Sequence, residues 1–177
     1  MAGRRNIGID ALIAASRLNR APGCSDLGFA LGPRINAGGR VGKSDLGVRL
    51  LTTLDASEAQ QIAEELDRLN NERRTIEAGV QAEAEQAAIG QGNRAVAVVS
   101  GSGWHPGVIG IVAGRLKEKF NRPSIVIAID EHGTGKGSGR SIPGVDLGAA
   151  VLAAKDAGLL VAGGGHAMAA GLTVEPG

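Results

Sequence analysis

Aromatic side chains are nearly missing from this chain, which has no tyrosine and only Trp104, Phe29 and Phe120. A protein that holds single strands by stacking bases needs more rings than that. Any recognition of a polynucleotide must therefore rest on phosphate and backbone contacts. Cysteine is equally scarce: Cys24 stands alone, which excludes an internal disulfide and a thiolate zinc cage and fits a reducing compartment. The three histidines, His105, His132 and His166, are scattered, and no His-x-x-x-His pair or two-carboxylate cluster marks a metal site. No apolar run approaches the roughly 20 residues of a membrane span, and the opening MAGRRNIGID has no apolar segment of signal-peptide length. These absences make the cytoplasm the expected location, with no membrane contact.

What the chain does have is glycine, 29 of its 177 residues. Glycine loses more conformational entropy on folding than any other residue, so a dense run marks places where a side chain would collide or dihedrals are unusual. The hydrophobic share of 43% is enough for a core, and the length suits one domain with an appendage, or one and a half domains. The net charge of +1 conceals an asymmetry. Residues 1–49 hold eight Lys/Arg against three Asp, net +5; residues 55–90 hold three Arg against nine acids, net −6; residues 91–177 hold eight basic against six acidic residues, net +2. A basic end beside an acidic stretch confines anion contact to particular faces.

Periodicity divides the chain into three. Residues 1–20 are predicted as a helix with Ile9, Leu12, Ile13 and Leu18 on one side, stopped by Ala21-Pro22-Gly23. So abrupt a start has the character of a longer domain's tail, and residues 1–54 are assigned to the end of one lobe. Within them Gly32-Pro33 and Gly38-Gly39 predict turns, with Arg34, Asn36, Arg40 and Lys43 on or beside loops, then a helix from Asp45 to Leu51 capped by Ser44. Composition leaves those four side chains either placed for ligand contact or simply solvated. Residues 55–90 predict one long connecting helix. Asp55 and Glu58 have capping-box spacing, and Ile62, Leu66, Leu69, Ile76 and Val80 recur at helical steps. At ~1.5 Å per residue it would run roughly 50 Å, the length of a bridge between lobes, with Gly79 a place for a bend. Residues 91–177 alternate. Strands are predicted at 95–100, 124–129, 134–141 and 169–174, and helices at 106–120 and 145–154, with a turn at Asp130-Glu131-His132-Gly133. Strand, helix, strand at this spacing argues for an α/β domain with a right-handed crossover and helices covering the sheet.

Candidate chemistry concentrates between Lys136 and Leu172. Gly135, Gly137 and Gly139 surround Ser138 and Arg140, and Gly163, Gly164 and Gly165 precede His166, so two permissive loops flank one short apolar helix. Arginine offers phosphate a planar fork of donors, and loop amides form anion-binding nests. Tight turns in a small sheet fit the same residues, and composition leaves both readings open. SGSGWHPGVIG, residues 100–110, follows a strand and opens a helix in the manner of a dinucleotide fingerprint. Pro106 stands where the third glycine belongs, and Asp130 is too far on for a ribose contact at ~20 residues, which speaks against a nucleotide cofactor. Trp104 and His105 on this loop either touch a ligand or, for Trp104, cover the sheet edge. With no nucleophile elbow, the chain has the character of a binding domain without its catalyst.

Three segments taken together are similar to one family. LGPRINAGGRVG (31–42), GWHPGVIGIVAGRLKEKFNRPSIVIA (103–128) and GSGRSIPGVDL with GGGHAMAAGL resemble the RecJ exonucleases of the DHH phosphoesterase superfamily, in the part that links to and forms the DHH-associated domain. Other superfamily members share the GGGHAMAAG-type loop but lack the RINAGGR stretch. The resemblance implies a mixed β-sheet flanked by helices, preceded by the connecting helix and the end of a DHH domain. It also implies 5′-to-3′ hydrolysis of single-stranded DNA carrying a 5′-phosphate, in repair and recombination. The implied mechanism uses two metals, Mn2+ or Mg2+, held by a DHH lobe whose Asp-His-His signature this sequence lacks. No metal ligand is expected in this chain, which is expected to be a fragment, inactive alone, the substrate-clamping half. By the same resemblance Ser138 and Arg140 grip the 5′-phosphate, and Arg34 and Asn36, with Arg40 beside them, lie near the strand's backbone. His166, with Gly164 and Gly165, faces the scissile phosphate as a positioning and charge-stabilising catalytic group, while Trp104 and His105 border that surface. Ala37-Gly38-Gly39 stands where the family has Ala-Ala-Gly. A monomer is expected, with a single-strand-binding protein or a helicase as candidate partner. Two other readings stay open: a non-catalytic nucleic-acid-binding module, and a sibling phosphodiesterase of short oligonucleotides or cyclic dinucleotides, against which Arg34-Ile35-Asn36-Ala37 argues.

Overall fold

Asn6 opens the first helix of the computed structural model, which describes residues 6–176. Its Oδ1 accepts the Ile9 amide at 2.9 Å, and α1 runs over Ile7–Ala15. The helix stops before the expected Ala21-Pro22-Gly23. Ser16 Oγ donates back to the Ile13 carbonyl at 2.8 Å and Arg17 takes φ 57°, a left-handed conformation that ends a helix. Residues 1–5 of the predicted helix lie outside the described residues. The chain divides into two compact units, Met1–Thr75 and Ile76–Gly177, and the division falls inside its longest helix.

In the first unit α2 (Cys24–Asp26), a π-helical turn (Leu27–Leu31) and α3 (Gly32–Val41) follow one another without a break. Both turns predicted here are helical instead. Pro33 stands near the start of α3, where it cannot donate to an upstream carbonyl, and the π-helical turn just before it, closed by the Gly32 amide reaching back five residues to the Leu27 carbonyl, absorbs that interruption of the ladder. Next come α4 (Leu46–Thr52) and α5 (Ala56–Gly90). Gly38 marks a close approach rather than a turn: a Cβ there would stand 2.9 Å from the Lys43 carbonyl oxygen and 3.2 Å from Leu66. Helix α4 is flanked by Asp45, not capped by Ser44, and no side chain caps it.

Helix α5 starts as its sequence predicts, with Asp55 Oδ1 accepting the Ser57 amide at 2.7 Å and the Glu58 amide at 3.3 Å. Glu58 does not close the box. Its carboxylate accepts from the Thr53 hydroxyl at 2.6 Å and from Arg49 at 2.8 Å, and the Asp55 amide donates to Thr53 Oγ1 at 3.2 Å. Leu12, Leu31, Leu50, Leu66 and Leu69 centre the core of this unit, each worth about 1.5–3 kcal/mol of burial.

In the second unit the last turns of α5 place Val80, Ala84 and Ala88 in a separate core with Ala97, Val99, Val112, Leu116 and Val126. Its sheet has five strands in the order β1-β2-β3-β5-β4. These are β1 (Ala97–Ser102), β2 (Ser124–Ile129), β3 (Gly135–Arg140), β4 (Ala162–His166) and β5 (Ala169–Val174). Strands β1 and β2 are parallel across α6 (Pro106–Phe120), and the remaining pairs are antiparallel. Helix α7 (Leu147–Asp156) begins at Asp146, whose Oδ1 accepts the Ala149 amide at 2.9 Å. The Gln91 side chain hydrogen-bonds both the amide and the carbonyl of Val98, occupying backbone groups on β1 that an edge strand otherwise leaves open.

The glycine-rich segment predicted as a strand at 134–141 is β3, and the one expected as a loop before His166 is a strand as well, β4. In β3 the glycines alternate with Lys136, Ser138 and Arg140, and a Cβ at Gly135, Gly137 or Gly139 would meet Val174, Leu172 or Leu147 at 2.4, 2.5 or 2.6 Å. Their missing side chains let large apolar groups press on the face that α7 shares. In β4, Gly165 is equally constrained, since a Cβ would stand 2.4 Å from the Ala169 carbonyl oxygen.

Candidate nucleic-acid interface

Alternate residues of a strand point to opposite faces. With the glycines of β3 facing the α7 side, Lys136, Ser138 and Arg140 face the other way, in register with the buried Ala128, Val126 and Ser124 of β2. Helix α6 packs on β2 and β3, whereas α7 packs on β4 and β5 from behind. The α6 face is thus left open over β5 and β4.

Register carries three rows across that open area: Arg140, Ala169 and His166; Ser138, Gly171 and Gly164; Lys136, Thr173 and Ala162. Directly opposed residues project to the same face. The structure therefore brings Ser138, Arg140, Gly164 and His166 together, although 28 residues separate Ser138 from His166 in the chain. Strands β3 and β4 stand two strand spacings apart, ~10 Å. Between them lies a floor of small residues. A Cβ at Gly164 would meet nothing within 4 Å, and one at Gly171 only the Gly137 carbonyl oxygen at 3.9 Å. Gly165 is not part of this floor, because it faces Ala170 on the opposite side.

One wall of the floor is Arg140. Its Nη1 donates to Ser138 Oγ at 3.1 Å and to the Gly139 carbonyl at 2.8 Å, which folds the guanidinium along its own strand. Ser138, accepting that bond, keeps its own hydroxyl proton for another partner. Gly110 of α6 makes room for this arrangement: a Cβ there would lie 3.0 Å from Ser138 Oγ and 3.1 Å from Arg140 Nη2. The other wall is His166, exposed at the end of β4. Its hairpin is pinned from behind, where the Leu147 amide donates to the Ala167 carbonyl and the Ser141 amide to the Met168 carbonyl, each at 3.0 Å. Gly148 lets α7 approach, with a Cβ there only 3.0 Å from the His166 carbonyl oxygen.

The remaining predicted site residues lie elsewhere. Trp104 is 7% exposed, stacked against bare Gly101, and its indole N–H donates to Glu83 Oε2 at 2.7 Å. It is a core residue. His105 caps α6, its Nδ1 accepting the Gly107 amide at 3.0 Å. Arg34, Asn36 and Arg40 belong to the first unit and stand on α3, not on a loop. Arg34 turns inward, donating from Nε to Asp67 Oδ1 and from Nη1 to the Ala30 carbonyl, both at 2.7 Å. Asn36 and Arg40, four residues apart and both exposed, share one helix face. Lys136 and Gly110 also reach this surface; the strict alternation of GKGSGR signals Lys136 in the sequence, and nothing local signals Gly110. Among the described residues no group of three or more His, Cys, Asp and Glu could hold a metal ion. No helix among them is long and apolar enough to cross a membrane.

A mixed sheet with α6 on one face, α7 on the other and a polar row beside a bare floor matches a known domain type: the DHHA1 domain family matches residues 91–177. The whole chain is 45% identical to the single-stranded-DNA-specific exonuclease RecJ of Dickeya dadantii, an alignment that covers 98% of this chain and 31% of that protein. It is also similar to the crystal structure of RecJ from Thermus thermophilus in complex with Mn2+, with a TM-score of 0.82 and 34% identity over 96% of this chain and 24% of that one. The Mg2+ complex of RecJ from the same organism gives a TM-score of 0.80, again at 34% identity, over 96% of this chain and 26% of that one. Residues 91–177 are therefore a DHHA1 domain. Beyond that domain the chain aligns with RecJ proteins over nearly its whole length, and it spans about a third of the length of these curated relatives.

Proposed function

We propose that this chain is the substrate-holding part of a 5′-to-3′ single-stranded-DNA exonuclease, and that Ser138 and Arg140 seat the strand's 5′-phosphate. The observation that carries this reading is the row geometry on the open half of the sheet, where a preset Arg140–Ser138 pair and His166 face each other across a floor without side chains. Arginine N–H groups and the Ser138 hydroxyl proton are the donors a terminal phosphate dianion requires. A 5′-hydroxyl end cannot satisfy them, which would make the seat end-specific. The bare Gly164–Gly171 floor lets a sugar and its base lie close to the backbone without stacking on a ring. His166 then positions the next phosphate and offsets its developing charge. Asn36 and Arg40 are proposed as backbone contacts made by the first unit. Arg34, held by Asp67, organises α3 instead.

The relatives' structures hold Mn2+ or Mg2+, and the described residues of this chain supply no cluster that fits such an ion. The reading assigns the metals, and with them two-metal phosphodiester cleavage, to a part of the relatives that this chain does not span. On its own the chain would then bind without cutting. The same proposal includes lobe assignments of 1–54, 55–90 and 91–177, a cytoplasmic monomer, a role in DNA repair and recombination, and a single-strand-binding protein or helicase as partner.

The test is fluorescence anisotropy of the chain with labelled single-stranded DNA ending in a 5′-phosphate or a 5′-hydroxyl, repeated with Arg140→Ala. The expected result is a preference for the phosphorylated end, on the order of 1 to 3 kcal/mol, that the substitution removes. Equal binding of both ends, unchanged in Arg140→Ala, would contradict the assignment.

A further inference from the structure

We propose that Lys136 and Thr173 form a second phosphate subsite beside the Ser138–Arg140 seat. The proposal rests on the 5′-phosphate reading and extends it by one phosphate. Lys136 Nζ donates to Thr173 Oγ1 at 3.2 Å across the β3–β5 pair. The ammonium keeps further N–H groups, and the threonine, accepting that bond, keeps its hydroxyl proton. Lys136 is exposed. Its β2 neighbour in register, Ala128, is buried in the core beneath α6, so Lys136 shares the face of Ser138 and Arg140.

Three donor-bearing side chains thus stand at every second position of one strand, about 6.5 Å apart. That step is comparable with the distance between neighbouring phosphates of an extended single strand, and flexible side chains at the same spacing can also reach both phosphates of a pyrophosphate. Because the intervening glycines press against apolar groups on the opposite face, all the polar chemistry of β3 faces one way. The third row lies toward the end of the sheet where Ser102, Ile129, Gly135 and Val174 stand in register.

The second phosphate has two chemical sources, the next internucleotide linkage or a 5′-polyphosphate end. Calorimetric titration of the chain and of Lys136→Ala with thymidine 5′-monophosphate, the dinucleotide pTpT and thymidine 5′-triphosphate separates them. Lys136→Ala is expected to weaken pTpT, the triphosphate or both by about tenfold, and the monophosphate by less than about twofold. Lys136→Arg should restore the affinity, and the slope of log affinity against log salt for the affected probe should fall by about one in Lys136→Ala. A loss confined to pTpT assigns the subsite to the internucleotide phosphate, and one confined to the triphosphate assigns it to a polyphosphate end. An equal effect on all three probes, or none on any, overturns the subsite. The seat itself is judged separately, by whether the monophosphate binds more tightly than thymidine and loses that advantage in Arg140→Ala.

Discussion

Gly110 controls how Arg140 lies. The guanidinium rests where a helix side chain would be, and adding one methyl group would bring carbon to 3.0 Å of Ser138 Oγ and 3.1 Å of Arg140 Nη2. Alanine is the better helix former by up to about 1 kcal/mol, so Gly110→Ala should hold or raise the melting temperature. The same substitution should cut the preference for a 5′-phosphorylated strand by about threefold to tenfold, measured by anisotropy. An unchanged preference would mean that the guanidinium geometry is not set by α6. Residue roles were unevenly visible in the sequence. Alternation with glycine makes Ser138 and Arg140 conspicuous, but only the family resemblance gives them a role, whereas nothing in the glycine-rich segment around Trp104 signals that its partner, Glu83, sits on a helix 21 residues earlier.

Helix α5 is the element most exposed to pH. Glu58 is held below the ordinary carboxylate range by the Thr53 hydroxyl and Arg49, Glu65 by Arg68, and Glu85 by Lys119 and Gln81. Asp26, gripped by Arg20 and the Gly23 amide, is lowered in the same sense. When the folded carboxyl has the lower pKa, the unfolded chain takes up protons first as pH falls. The stabilisation is therefore complete above the usual carboxylate value, about 4, and is lost as pH drops through the depressed folded values. Urea-unfolding midpoints should stay level from about pH 7 to pH 5 and decline below about pH 4. Added salt at neutral pH should lower them only slightly, since most of these pairs are exposed. A midpoint that rises on acidification would contradict this assignment. The α5 helix was legible because its apolar residues keep a helical period for 35 residues. The α3 helix was not: proline in a first turn and glycine at a helix crossing carry the same letters as a turn. Strand β4 was hidden for a related reason, because a run of glycines has no side chains with which to show a period of two, whereas GKGSGR shows it.

At the scale of the molecule, two cores lie on either side of Thr75, one built around Leu66 and Leu69 and the other around Val80, Ala84 and Val126. The α/β class of the second unit and its strand–helix–strand start could be read from periodicity. The strand order could not, because pairing β5 between β3 and β4 is a long-range choice that no local pattern encodes, and that choice sets Arg140 opposite His166. Family resemblance supplied the grouping that periodicity missed. What matters most for function is whether the open half of the α6 face holds a strand's 5′ end. The direct test is a two-dimensional amide NMR titration of the chain with matched oligonucleotides bearing a 5′-phosphate or a 5′-hydroxyl. Shifts that depend on the phosphate are predicted at Ser138, Arg140, Gly164 and Gly171. Phosphate-dependent shifts confined to Asn36 and Arg40 on α3, or identical shifts with both oligonucleotides, would contradict it.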